Sequence, residues 1–157
     1  KTMERVITRI HKLLSEGHKT IAVAESCTGG LLSSLLTGQG GSSRYFILGA
    51  VVYSNKAKSL VLGIPGSLIK NKGAVSAQVS ALMAKGVRKL AHTDFGIGIS
   101  GIAGPGGGSK TKPVGTVFIA VESKSRKICR KFIFKGSRSA VRKKSALKSL
   151  ELLRSFL

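Results

Sequence analysis

Acidic residues are scarce in this sequence: six Asp and Glu stand against 27 Lys and Arg, a formal charge of +21. Such a field attracts anions, whether phosphate-bearing metabolites or nucleic acid, and says little about the fold. Cysteine is scarcer still. Cys27 and Cys129 make neither a disulfide framework nor a metal-ligand cluster, so a reduced, cytoplasmic setting without a metal is expected. No apolar run is long enough to cross a bilayer, which excludes a membrane partner at the level of sequence. No signal-peptide pattern opens the chain, which starts at Lys1 rather than Met, as a fragment of a longer protein would. No internal repeat or linker divides it. With 157 residues, 42% of them hydrophobic and 21% charged, a single globular domain over 1–157 is expected.

Against these absences, one stretch carries several reactive groups: Ala24-Glu25-Ser26-Cys27-Thr28-Gly29-Gly30. The apolar run Ile21–Ala24 before it reads as a buried strand, and Leu31, Leu32, Leu35 and Leu36 after it fit one helix face. A strand-to-helix junction leaves the first helical N–H groups unpaired, and Gly29 and Gly30 let another molecule approach the backbone. Ser26, Cys27 and Thr28 are three candidate nucleophiles beside those donors, the combination that acyl transfer needs. A plain turn with Ser or Thr capping the helix fits the same residues.

Along the rest of the chain, Met3, Val6, Ile7, Ile10, Leu13 and Leu14 form a helical stripe ending at Gly17. Residues 45–53 read as a second strand, and Ser54 or Asn55 caps a short helix that stops before Pro65. Ser67–Asn71 forms another helical turn. Ser76 caps a longer helix with Val79, Leu82, Met83, Val87 and Leu90 inward. Residues 94–100 form a strand with small Gly96 and Gly98, followed by a glycine-rich loop to Pro113. Residues 114–121 and 129–134 form an antiparallel hairpin, and a last helix carries Leu147, Leu150, Leu153 and Leu157. The order predicts an α/β fold, a three-layer α/β/α sandwich with a mixed, mostly parallel sheet of about five strands.

Four segments at strand ends hold the candidate chemistry: Ser26–Gly30, Tyr53–Lys58, Ser100–Ser109, and Arg138 with Val141-Arg142. Together with Gly73–Ser76 (GAVS) and Pro113–Val117 (PVGTV), the strings AESCTGG, YSNKAK and SGIAGP resemble the CinA C-terminal domain family, whose activity is deamidation of nicotinamide mononucleotide. The likeness runs in order over nearly the whole chain. It implies hydrolysis of the carboxamide to nicotinic acid mononucleotide and ammonia without a cofactor, and a homodimer or other homo-oligomer. It makes Ser26 the nucleophile, Lys58 its general base and Tyr53 a supporting hydroxyl. Thr28, Gly29, Gly30, Ser100, Gly101, Gly104, Arg138 and Arg142 would bind substrate. The chain departs from the family pattern at Gly106, at Lys110-Thr111 and at Ser137, where acidic residues are common. The hydrolytic residues are untouched by these losses, which bear on substrate preference.

Each residue also has a plainer reading. Tyr53 fits an edge-of-core residue with a wet hydroxyl, Lys58 an ordinary helix surface, and the two arginines solvated charges. The glycines fit a loop without ligand. Cys27 rivals Ser26 as nucleophile, while His11, His18 and His92 lie outside all four segments and offer no partner. A different class of function is nucleic-acid binding: residues 124–148 hold eleven Lys or Arg, with Phe132 and Phe134 on one strand face. No groove-reading motif accompanies them, so nucleic acid is expected to bind at most nonspecifically. A competence-related regulatory domain without catalysis is a third reading.

Overall fold

The computed structural model describes residues 2–157. In chain order it contains α1 (Thr2–Glu16), β1 (Ile21–Glu25), α2 (Leu31–Thr37), a 3₁₀ turn (Ser42–Arg44), β2 (Phe46–Val51), α3 (Asn55–Leu62), α4 (Gly66–Lys72), α5 (Ala77–Ala91), β3 (Phe95–Gly101), β4 (Thr116–Glu122), β5 (Lys127–Ile133) and α6 (Arg138–Arg154). The strands form one sheet in the order β2-β1-β3-β4-β5. β1 pairs parallel with β2 and β3, while β4 runs antiparallel to both β3 and β5. Four strands therefore point one way and β4 alone points back, as the mixed, mostly parallel expectation has it.

Helices cover both faces. Val6, Ile10 and Leu14 of α1, Leu32 and Leu36 of α2, and Val141, Leu150 and Leu153 of α6 share one core with Val23, Ile97, Ile119 and Val121 of the sheet. Val79, Met83 and Val87 of α5 and Ile69 of α4 share the second with Ala22 and Ala24. Because β1 is sandwiched between the two, all five of its residues, including Glu25, are buried. That explains why it reads as an unbroken apolar run rather than an alternating one.

The second layer sits unusually close to the sheet at β3. A Cβ at Gly96 or Gly98 would run into the backbone carbonyls of Ala84 and Ser80 on α5. The two glycines thus mark a helix pressed onto a strand. One inward assignment on that helix is corrected: Leu90 is 51% exposed, since it falls on the last turn beyond the edge of the sheet's cover.

The chain order reverses between β1 and β3: β1 leads outward through α2 to β2, and β3 leads the other way to β4. Such a point opens a crevice at the carboxyl ends of the strands, where ligands of α/β folds bind. Ser26 follows β1, Tyr53 follows β2 and Gly101 closes β3. The topology alone collects three of the four candidate segments.

Candidate active site

Lys58 is the buried centre of this crevice, only 1% exposed despite its charge-bearing side chain. Ser54 caps α3 by accepting from Ala57 N–H, which starts the helix abruptly and aims Lys58 back across the strand ends. Its Nζ lies 3.1 Å from Ser26 Oγ, 3.0 Å from the carbonyl oxygen of Val52 and 3.0 Å from that of Tyr53. Burial pushes the amine below the ordinary lysine pKa. A neutral amine has two N–H donors and one lone pair. If the two carbonyls take the donors, the lone pair remains for the Ser26 hydroxyl.

The Ser26 turn is built by its neighbours. Gly29 N–H donates to the Ser26 carbonyl at 3.0 Å, and Gly29 and Gly30 both adopt positive φ. The expectation of free donors at the start of α2 is corrected here. Glu25 reaches past the turn, accepting from Leu32 N–H at 2.9 Å, Ser33 N–H at 3.0 Å and Ser33 Oγ at 2.7 Å. A buried carboxylate needs such donors, and a helix N-terminus favours a negative charge. Among the described residues no backbone carbonyl takes the N–H groups of Thr28 or Gly30, so the spare donors belong to the turn itself.

A pocket of about 280 Å³ opens over the pair. Its walls include Ser26, Cys27, Tyr53, Asn55 and Lys58 on one side, and Ile102, Gly104, Gly107 and Arg138 on the other. Cys27 is buried, and desolvation pushes its thiol up to about 11. It therefore stays protonated at neutral pH, unlike a reactive thiolate.

The family profile of the CinA C-terminal domain matches residues 3–157. This chain belongs to that family. It is 48% identical over 155 residues to a CinA-like protein of Thermotoga neapolitana, covering 99% of this chain and 37% of that protein. A CinA-like protein of Geobacter sulfurreducens is 45% identical over 147 residues, covering 94% and 36%. The chain thus spans about a third of the length of these curated relatives. Among solved structures, the competence/damage inducible protein CihA of Agrobacterium tumefaciens superposes with a TM-score of 0.96 at 34% identity, covering 99% of this chain and 95% of that one. A CinA superfamily protein of Escherichia coli gives 0.94 at 30% identity, covering 99% and 90%.

Within this CinA domain the residues singled out in the sequence separate into three groups. Ser26, Lys58, Tyr53, Gly101, Gly104 and Arg138 line the pocket. Tyr53, however, faces it differently from the expected supporting hydroxyl. Its carbonyl contacts Lys58, whereas its side chain is 57% exposed and its hydroxyl accepts from Arg138 Nη2 at 3.0 Å. Arg138 also donates to the Gly104 carbonyl at 2.8 Å, tying the glycine loop to α6.

Thr28, Gly29, Gly30 and Arg142 form the second group, behind the pocket. Arg142 Nη2 donates to the Thr28 carbonyl at 2.9 Å and packs where a Gly29 side chain would begin. These residues shape the turn rather than the pocket wall. Ser100 stands alone: it is buried and its hydroxyl lies 2.8 Å from Ser80 Oγ on α5. The alternation of a strand turns its side chain into the second core, away from the pocket that its neighbour Gly101 lines.

Two site residues lie inside the segments picked out in the sequence but received no role there. Asn55, the first residue of α3, lines the pocket, and its position directly after the Ser54 cap was the available signal. Glu25, an acid ending an apolar run, was the other. A lone carboxylate in a fully buried strand calls for donors nearby.

Proposed function

We propose that this domain is an amidohydrolase that converts the carboxamide of nicotinamide mononucleotide to the acid, releasing ammonia, with Ser26 as nucleophile and Lys58 as base. One observation carries the reading: a buried lysine amine 3.1 Å from a serine hydroxyl, with two peptide carbonyls on its remaining donors. In this scheme neutral Lys58 takes the Ser26 proton as Oγ bonds to the amide carbon. Spare N–H groups of the 26–30 turn suit the oxyanion that develops. The C–N bond then breaks, Lys58 returns the proton to the departing amine, and ammonia leaves a Ser26 ester. Water, deprotonated by Lys58, attacks the ester; the protonated lysine reprotonates Ser26 and the nucleotide acid departs.

Arg138 supports the nucleotide part of the reading. It places a fixed guanidinium at the pocket wall, suited to a phosphate. Cys27 is the weaker nucleophile, because burial keeps its thiol protonated. The deciding experiment incubates the purified chain with nicotinamide mononucleotide and measures ammonia and nicotinic acid mononucleotide together. Equal amounts of both are expected, with far less from the dephosphorylated riboside. No ammonia from either compound would overturn the reading, and equal turnover of the two would remove the phosphate from it.

A further inference from the structure

The cations of this domain are not evenly distributed. No Asp or Glu occurs between Glu122 and Glu151, while residues 124–148 carry eleven Lys or Arg. The fold places much of that run on the sheet edge formed by β5 and on the flank of α6 beside it. Arg130 and Phe132 lie two apart on the edge strand and so share a face. Phe132 and Phe134 stack with centroids 5.4 Å apart and planes 8° from parallel, both only partly buried. From α6, Lys144 Nζ donates to the Lys135 carbonyl at 2.6 Å, and Lys148 Nζ lies 5.8 Å over the Phe132 ring. Arg130, Lys135 and Lys144 are exposed and join no ion pair among the described residues, whereas Lys148 is paired with Glu151 at 2.6 Å.

We infer that this β5–α6 edge is a docking strip for single-stranded nucleic acid, separate from the pocket at the strand ends. Three cations that join no ion pair among the described residues offer phosphate contacts. The partly buried ring pair of the same edge adds an apolar, π-rich surface of the kind that unpaired bases use and stacked duplex bases do not. α6 buries Val141, Ala146, Leu150 and Leu153 against the sheet and stays embedded, so it cannot enter a duplex groove as a recognition helix does. The strip reads charge and base faces, not sequence, and it does not depend on the amidase reading.

The test measures fluorescence anisotropy of a labelled oligothymidylate against the whole chain at several salt concentrations. Log K should fall against log salt with a slope of about −2, at about −0.7 per phosphate for three phosphates. Arg130→Glu with Lys144→Glu should weaken binding at least tenfold and flatten the slope by about 1.4. Lys70→Glu with Lys72→Glu makes the same change of net charge on α4, across the sheet, and should weaken binding far less. Arg130→Gln with Lys144→Gln keeps the test open if the reversed pair melts early by circular dichroism. Equal losses from the strip and α4 pairs would overturn the proposal in favour of a diffuse field. Equal affinity for the matching duplex, or equal strip-dependent binding to vesicles containing phosphatidylserine, would overturn it in favour of a general anion surface.

Discussion

Arg142 on α6 donates to the backbone carbonyl of Thr28 at 2.9 Å, across 114 positions of sequence. The bond ties the last helix to the turn that carries Ser26, and its guanidinium occupies the space beside Gly29. A charge-assisted hydrogen bond of this kind contributes about 1.5–3 kcal/mol. Arg142→Ala should therefore lower kcat on nicotinamide mononucleotide by about tenfold or more with little change in KM, because the turn loses its brace while the pocket wall is intact. Steady-state kinetics beside a thermal melt measure it. Unchanged kcat would show that the turn holds its shape without α6.

Ser26→Ala should abolish ammonia release while the melting temperature stays within a few degrees of the parent, since the role proposed for the hydroxyl is chemical. Cys27→Ala should retain substantial activity. An inactive Cys27→Ala with an active Ser26→Ala would reverse the assignment of the nucleophile.

In the proposed mechanism Lys58 acts as a base only when neutral, so activity should rise with pH through an apparent pKa below the ordinary lysine value of 10.5. The direction follows from burial, which disfavours the ammonium. Lys58→Arg should lose about 10²–10⁴-fold in kcat, because arginine keeps its proton throughout that range. Near-parental turnover in Lys58→Arg, or a rate independent of pH, would mean the amine serves only as a cation.

Cys27 should leave a mark on alkaline stability. Its folded pKa is raised from 9.0 to about 11, so the folded state holds the thiol proton longer than the unfolded chain does. The contribution is whole below pH 9.0 and is lost as pH climbs through about 11. Over that window it amounts to about 3 kcal/mol, at about 1.4 kcal/mol per pH unit. Lys58 acts in the opposite sense, since burial lowers its pKa, and the comparison of the parent with Cys27→Ala reads the thiol together with its charge coupling to that amine. Denaturant melts across this range should show the parent losing stability relative to Cys27→Ala. A constant difference between the two would show that the thiol is not desolvated.

Much of this architecture was legible because its local signals agree with its packing. Ser54 and Ser76 cap α3 and α5 as their positions in sequence suggest, and Ile21–Ala24 lies buried on both faces. The buried face of α6 was less plain. Ser145 and Ser149 are wholly buried within it, each donating to the carbonyl four residues earlier, at 2.7 and 2.8 Å. A serine satisfied by its own helix behaves as a small core residue, but it reads as polar in any hydrophobic pattern. Ser137, where the likeness to the family leads one to expect an acid, caps α6 by accepting from Ala140 N–H, so the helix starts there without one. At the site, the pairing of Ser26 with Lys58 came from likeness to a family, and no periodicity could supply it. The part played by the Tyr53 carbonyl was invisible, because a backbone atom has no letter in the sequence.

That last point bears on how the site tolerates change. Both carbonyls on the Lys58 amine belong to the main chain, at Val52 and Tyr53. No exchange of one side chain for another deletes them. Random substitution nearby therefore alters the shape of the cleft sooner than it alters the basicity of the amine. A lineage can trade one ligand for another at the walls, through Asn55, Ile102 or Arg138, and keep the Lys58 amine on the same two carbonyls beneath.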